Sequence, residues 1–465
     1  MSKGRFVMKT ETVDVAVIGA GPAGLSAAAT AARCGANVVL LDEQAGPGGQ
    51  IYRAITDTDA LRLQILGPDY AVGQKLADDL ITSGARHEKG VSVWEVTRDR
   101  SVHGLKDGQV RSWQARHVVL ATGAMERPFP IPGWTLPGVM TAGAAQILLK
   151  SAQVVPAGGL VLAGCGPLLY LLAWQYLRAG VKISAIVDTT DRADHRRALA
   201  HAGGALRGWR MLAKGLKLML AIRRAGVPFY TGASELAIEG SGQAEALKFN
   251  VGKHTHRIST SLVLLHQGVV PNTQFSWSLR AGHQWDDAQL CWSPKTDEWG
   301  ALDVPGVLVA GDGGGIGGAL AAASQGRLAG LSVACELGLI DEKERDRLAA
   351  PVRGDLAEQL AVRPFLDALY RPKMRVPHDD VVVCRCEEVT AGQIRSHVAL
   401  GCSGPNQAKS FGRCGMGPCQ GRLCGLTVTE VIAQARGVPP EEVGYYRIRP
   451  PIKPITLGEL AGEAT

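Results

Sequence analysis

Asp14-Val-Ala-Val-Ile-Gly19 is an apolar run that breaks at once into Gly19-Ala-Gly21-Pro-Ala-Gly24 and then into an Ala-rich stretch reaching Arg33. A buried parallel strand, a glycine turn and a helix account for that order. Each glycine has a physical task. Gly19 permits the tight turn, Gly21 lets the backbone approach a pyrophosphate, and Gly24 lets helix and strand pack closely. The helix N-terminus offers unpaired N–H groups to the phosphates. Glycine turns also arise for packing alone, so the next strand matters. Asn37 to Leu41 ends in Asp42-Glu43, at the distance where a carboxylate accepts hydrogen bonds from an adenosine ribose. Spacing favours Asp42, with Glu43 as the fallback.

A chain of 465 residues, 46% hydrophobic, can bury two or three separate cores. Its 58 glycines and 5% aromatic content fit close-packed strand-turn-helix units, an α/β architecture, better than an all-β one. The formal charge of +7 is modest, acids are interspersed, and no nucleic-acid-reading signature is present, so nucleic acid is not expected as a partner. One local excess stands out. Arg207, Arg210, Lys214 and Lys217 recur at spacings of three and four within 192–224, a basic helical stripe that reads either as a solvated or subunit-facing helix side or as a dock for an anionic partner or membrane surface. The segment Met1–Asp14 carries Lys3, Arg5 and Lys9 without an apolar core of signal-peptide length. Gly158 to Leu177 is long and apolar, but Gly164, Gly166 and Pro167 interrupt it where a strand should become a helix. The expectation is a cytoplasmic chain without a transmembrane segment, with peripheral attachment to the inner membrane as the alternative.

Two distant segments favour FAD over NAD in the first site. Val118-Val-Leu-Ala-Thr122-Gly123 and Gly306-Val-Leu-Val-Ala-Gly311-Asp312 are both strands ending in small-residue turns. With them the chain resembles the two-dinucleotide-binding-domain flavoproteins, the superfamily of glutathione and thioredoxin reductases. The resemblance implies that Asp312 places its carboxylate on the ribityl chain of FAD, where an ordinary cap before a glycine-rich turn is the bland reading. Gly49, Gln50, Thr122, Gly123 and Gly311 complete the candidate cofactor residues. Leu160 to Leu169 looks like a second strand-glycine-helix start whose third glycine is replaced by Leu169, which puts NAD(P)H binding there in doubt. Disulfide reductases of this superfamily carry a redox Cys pair at one of two places. Here those places read Gly46-Pro-Gly-Gly49-Gln50 and Thr141-Ala-Gly-Ala-Ala-Gln146, without cysteine. No substrate base is recognisable, and no catalytic residue is assigned.

The cysteines cluster late in the chain, which points to metal and not to a disulfide scaffold. Cys384-Arg-Cys386 is followed by Cys414-Gly-Met-Gly-Pro-Cys419-Gln-Gly-Arg-Leu-Cys424. Thiolates are soft anionic donors, and a 2Fe-2S cluster needs four in a small volume; a structural zinc site would use the same four. The segment resembles the bacterioferritin-associated-ferredoxin type of 2Fe-2S domain, a small helical fold. That likeness implies Cys384, Cys386, Cys419 and Cys424 as ligands and sets Cys414 at a non-ligand position. Cys419 and Cys424 have four residues between them where the parent ferredoxin has two, so whether Cys414 replaces one of them stays open.

Longer strings go further: Asp42-Glu-Gln…Gly48-Gly-Gln50-Ile-Tyr-Arg53, Ile65-Leu-Gly-Pro-Asp-Tyr70, Ala121-Thr-Gly-Ala-Met-Glu-Arg127-Pro and Gln267-Gly-Val-Val-Pro-Asn272. Together with the Cys tail they resemble the large, alpha-type subunits of the opine oxidase/dehydrogenase family, whose relatives include the alpha-type subunits of hydroxyproline and proline dehydrogenases and the B-type subunits of hydrogen cyanide synthases. The resemblance implies a partner of the beta type, similar to amino-acid oxidases and with its own FAD. It further implies an acceptor such as a quinone, with a small gamma-type partner and an FMN at the interface between partners as options. In some relatives the first site holds another adenine nucleotide, so FAD is less fixed than the site. Expected boundaries are 1–124 and 266–345 for the two parts of the FAD-binding domain, 125–265 for an inserted nucleotide-type domain, 346–375 for a helical linker and 376–465 for the 2Fe-2S domain and tail. The expected function is electron transfer within a heteromeric C–N dehydrogenase. Alternatives are a glycine-oxidising component of the hydrogen cyanide synthase type and a self-sufficient NAD(P)H-dependent flavin reductase.

Overall fold

In the computed structural model, which describes residues 10–373 and 377–461, the strand Thr10–Ile18 lies inside a seven-stranded sheet. Val13, Val15, Ala16 and Val17 are all buried, so both faces of this strand need cover. Parallel pairing with helices on the faces supplies it. Val38–Asp42 pairs on one side and Gln109–Leu120 on the other, both parallel. Arg86–Lys89 extends the sheet beyond Val38–Asp42, and Val307–Val309 joins the far side of Gln109–Leu120. The first half of Gln109–Leu120 runs antiparallel to Ser101–Lys106, which turns back into Ser92–Val96.

Helices Pro22–Arg33 and Ala319–Glu336 cover one face and lie close together. Gly326 makes that approach possible, because a Cβ there would stand 2.1 Å from the Ala23 carbonyl oxygen. The other face is covered by Phe275, Leu279 and the tail residues Ile394, Val428, Ile432, Tyr446 and Ile448, in one continuous core.

A second sheet is wholly parallel, in the order Phe229–Thr231, Ile183–Asp188, Leu160–Cys165, Val263–Gln267, Val139–Thr141. Gly158 to Leu177 is indeed a strand followed by the helix Pro167–Arg178. Leu169 is fully buried at the third-glycine position. A three-stranded antiparallel sheet, Ala233–Glu239, Ala246–Val251 and His254–Ser259, packs beside it. The basic segment forms helices Arg192–Leu199, Ala202–Arg207 and Trp209–Arg224.

Glu342–Leu360 and Arg363–Leu369 are helical. The linker end expected near Arg375 lies outside the described residues, as do Lys3, Arg5 and Lys9. Beyond it come the short hairpin Val382–Cys384 and Val389–Thr390 and the helices Ala391–Ala399, Pro405–Gly412 and Gly425–Arg436. The architecture is that of a two-dinucleotide-binding-domain flavoprotein with a small helical tail domain. Among the described residues no helix is long and apolar enough to cross a membrane.

Candidate functional site

Four strands of the first sheet end in motif residues, and parallel pairing brings those ends to one edge: Gly19, Asp42, Thr122-Gly123 and Gly311-Asp312. This is the crevice in which open α/β sheets bind ligands. The glycines there do different work. A Cβ on Gly19 would stand 2.4 Å from the Ala121 carbonyl oxygen, and one on Gly24 only 1.8 Å from that of Gly19. A Cβ on Gly21 would meet only the Gly49 Cα, at 3.9 Å, so the Gly21 backbone borders open space. Gly49 sits in the left-handed region, φ +60°, with its would-be Cβ 2.7 Å from the Gly21 Cα. The helix Pro22–Arg33 has no acid in its first turn and no side-chain cap, so the positive end of its dipole faces the crevice. The residues therefore fit a pyrophosphate.

The acids brace this turn. Asp42 accepts from the Ala20 N–H at 2.6 Å through Oδ2 and from the Gln44 N–H at 2.7 Å through Oδ1. Glu43 points away into an ion pair with Lys453. Asp312 Oδ1 accepts from the Gly317 and Gly318 N–H groups, each at 2.9 Å, which is a capping contact. Thr122 Oγ1 donates to the Asn272 carbonyl at 3.0 Å, and exposed Gln50 accepts from Arg53 at 3.0 Å. Lys150 carries no motif in the sequence, where only its spacing of four from Gln146 marks it. Its buried Nζ donates to Gln146 Oε1 at 2.8 Å and to the Gln50 carbonyl at 3.2 Å. Burial, with Arg53 nearby, lowers its pKa to about 7.

The corresponding edge of the second sheet is occupied by the chain itself. The Tyr170 hydroxyl donates to Asp188 at 2.6 Å, at the end of the strand after the glycine turn. The Cys165 thiol in that turn meets Gln267 at 3.3 Å and the Tyr370 carbonyl at 3.7 Å, and the Lys373 N–H donates to Gln267 at 3.0 Å. The segment 370–373 thus straps the turn. Beside it lies a cavity of about 300 Å3 whose wall includes Arg127, Phe129, Thr189, Lys373 and Glu430. Arg127 and Glu430 approach to 4.0 Å there, joining this region to the tail domain.

In the tail the Sγ atoms of Cys384, Cys414 and Cys424 all lie within 4.8 Å of one another, and all three residues are buried. Thiol donors from Cys414 and Cys424 push the Cys384 pKa far down, and the same contact with Cys384 pushes theirs up. The Gly415 N–H also points at Cys384 Sγ, at 3.5 Å. Exposed Cys386 interacts with Cys419, so all four thiols expected as ligands sit in two adjoining groups. Cys414 joins them as a fifth, a place the ferredoxin likeness did not give it. Cys402 is buried apart, its thiol against the Gly404 carbonyl at 3.4 Å. A soft-metal group requiring four thiolates fits this donor set.

Comparison with known proteins agrees with this geometry. Residues 13–326 match the pyridine nucleotide-disulphide oxidoreductase family, and residues 380–463 match the sarcosine oxidase A3 domain. The chain is 46% identical over 460 residues to the A-type subunit of opine oxidase from Agrobacterium tumefaciens (strain Ach5), spanning 96% of this chain and 91% of that one. It is 31% identical over 472 residues to the HcnB subunit of hydrogen cyanide synthase from Pseudomonas protegens, spanning 96% of each. The solved L-proline dehydrogenase from P. horikoshii superposes with a TM-score of 0.70 at 20% identity, over 98% of this chain and 81% of that one, a likeness of fold. Crevice, thiol group and an identity that runs nearly end to end lead to one assignment: the chain belongs to the pyridine nucleotide-disulphide oxidoreductase family and, within it, to the family of A-type opine oxidase subunits.

Proposed function

We propose that this chain is the electron-transferring component of a heteromeric dehydrogenase that oxidises the C–N bond of an opine or an imino or amino acid. The substrate is oxidised on a partner chain of the amino-acid-oxidase type. The observation that carries this reading is the pairing of an open phosphate cradle at Gly21 with a multi-thiol group packed against the same sheet. FAD in the first crevice and a 2Fe-2S cluster among the thiols would supply two-electron and one-electron redox chemistry.

The chain's own residues then have definite tasks. The Gly19–Gly24 turn and the helix after it would hold the pyrophosphate, Asp42 would serve the ribose and Asp312 the ribityl chain. Cys384, Cys386, Cys419 and Cys424 would hold the iron, with Cys414 as the alternative to Cys419 or Cys424. A quinone or another acceptor would take the electrons. An NAD(P)H-dependent reductase is the weaker reading, because Leu169 stands buried at the third-glycine position and the Tyr370 carbonyl and Lys373 N–H contact residues at the second glycine turn.

The test is co-expression with and without the neighbouring subunits, followed by dye reduction with a panel of opines, proline derivatives and glycine. The complex should turn over an opine or imino acid while the isolated chain does not. Strong opine-dependent reduction by the isolated chain would overturn the proposal, and a preference for glycine would move the chain to the cyanide-synthase type.

A further inference from the structure

The helices between Arg192 and Arg224 carry nine Lys or Arg residues against a single acid, Asp194, a net of +8. The whole chain has +7, so this segment holds the entire excess of positive charge and the rest is close to neutral. Asp194 is already engaged by Arg197 and Lys373, and Lys214 by Asp69. Among the described residues no ion pair is recorded for Arg207, Arg210, Lys217 or Arg224. Charge concentrated in this way raises a local positive potential that draws anionic partners.

The same surface is apolar. Leu206 is 75% exposed, Leu199 68%, Trp209 59%, Leu216 54% and Leu220 41%. Ile222 is the one fully buried residue of the helix Trp209–Arg224, so that helix packs on the body along a narrow seam. At about 100° per residue, Trp209, Leu216 and Leu220 fall within an arc of roughly 40° on its outer side. Arg210, Lys217 and Arg224 fall within a second arc of roughly the same width, about 80° further round. An apolar stripe with Trp at one end lies directly beside a cationic stripe.

We propose that this helical face docks on an anionic lipid bilayer, with Trp209, Leu216 and Leu220 in the acyl boundary and Arg210, Lys217 and Arg224 on lipid phosphates. A bilayer accepts this pattern because long basic side chains lay their stems along apolar surface and keep their charges at the headgroups. A protein partner fits less well, since the cores of protein interfaces are depleted in Lys and in charge generally. The contact does not depend on which amine is oxidised, so vesicle binding and substrate turnover fail separately.

The experiment is co-sedimentation of the intact complex with vesicles of phosphatidylcholine alone or with about one third phosphatidylglycerol, at low and high salt. Binding should need the anionic lipid and weaken as salt rises. The charge-reversal variant R210E/K217E/R224E and the apolar variant W209S/L216S/L220S should each lose tenfold or more in vesicle affinity, with flavin and iron content unchanged. Equal binding to pure phosphatidylcholine, or binding that survives both variants, would overturn the proposal. So would variants that release a partner chain while vesicle binding stays intact, which would make this face an interface between subunits.

Discussion

At the scale of single residues, glycines that look alike in the motif differ in what they would tolerate. Gly21 has φ −77° and open space around its would-be Cβ, whereas Gly24 would drive a methyl into the Gly19 carbonyl. Gly21→Ala should change stability by less than about 0.5 kcal/mol and still lower flavin content, while Gly24→Ala should cost about 2 kcal/mol or more. Urea unfolding and bound-flavin absorbance separate the two. Glu430 gives a pH test. Burial pushes its carboxyl up to about 8, against the pull of Arg127. A folded state that keeps a proton which the unfolded chain releases above about 4.5 loses stability as pH rises from there to about 8. Glu430→Gln cannot titrate, so its urea midpoint should gain on the parent protein across that window and keep a constant lead above it. Gly19 and Gly24 were legible because only glycine meets their steric demands, and Gly21 because its place in the motif leaves the backbone open to a phosphate. Asp42 was marked by its spacing, but its contacts were not legible, since the Ala20 and Gln44 amides that it accepts from carry no sequence signal. Cys414 was visible as a residue, yet spacing along the chain could not show that the turn at Gly415 returns it to Cys384.

At the scale of elements, the apolar runs and their glycine punctuation placed the main strands closely: Asn37 to Leu41 is Val38–Asp42 in the fold. The basic stripe was legible from its spacing of three and four, because helical periodicity is a local property. The strap at 370–373 was not legible. Tyr370 meets Cys165 across 205 positions and Lys373 meets Gln267 across 106, and no periodic pattern announces such contacts. The doubt placed on Leu169 rested on a local feature, the missing third glycine, and not on the strap. With the strap in place, excess NADH or NADPH should leave the flavin oxidised on the stopped-flow timescale. Rapid bleaching of the flavin absorbance would show that the segment yields.

For the whole molecule, the decisive feature is that tail and first sheet share one core. Val13, Val39 and Val118 of the sheet pack in the same cluster as Cys384, Cys424, Val428 and Tyr446 of the tail. Further ties cross the boundary: the Trp134 indole N–H donates to the Val382 carbonyl at 2.8 Å, and the Ile452 N–H to that of Trp94 at 3.0 Å. Elements joined in this way unfold together. Cys424→Ala should therefore remove iron and also lower the temperature of flavin release, by about 4 °C or more, in a single calorimetric transition. Cys414→Ala, which leaves the four expected ligands in place, should keep its iron. Two separate transitions in the parent protein would contradict the common core.

The strap has a consequence beyond packing. Under the proposed function the chain would carry electrons away from an amine, and free pyridine nucleotides, oxidised and reduced, would drain or flood any such carrier that they could touch. The strap sets the Tyr370 carbonyl and the Lys373 N–H against the second glycine turn, where such a nucleotide would seat its pyrophosphate, and under the proposed function it would insulate the electron path from that pool.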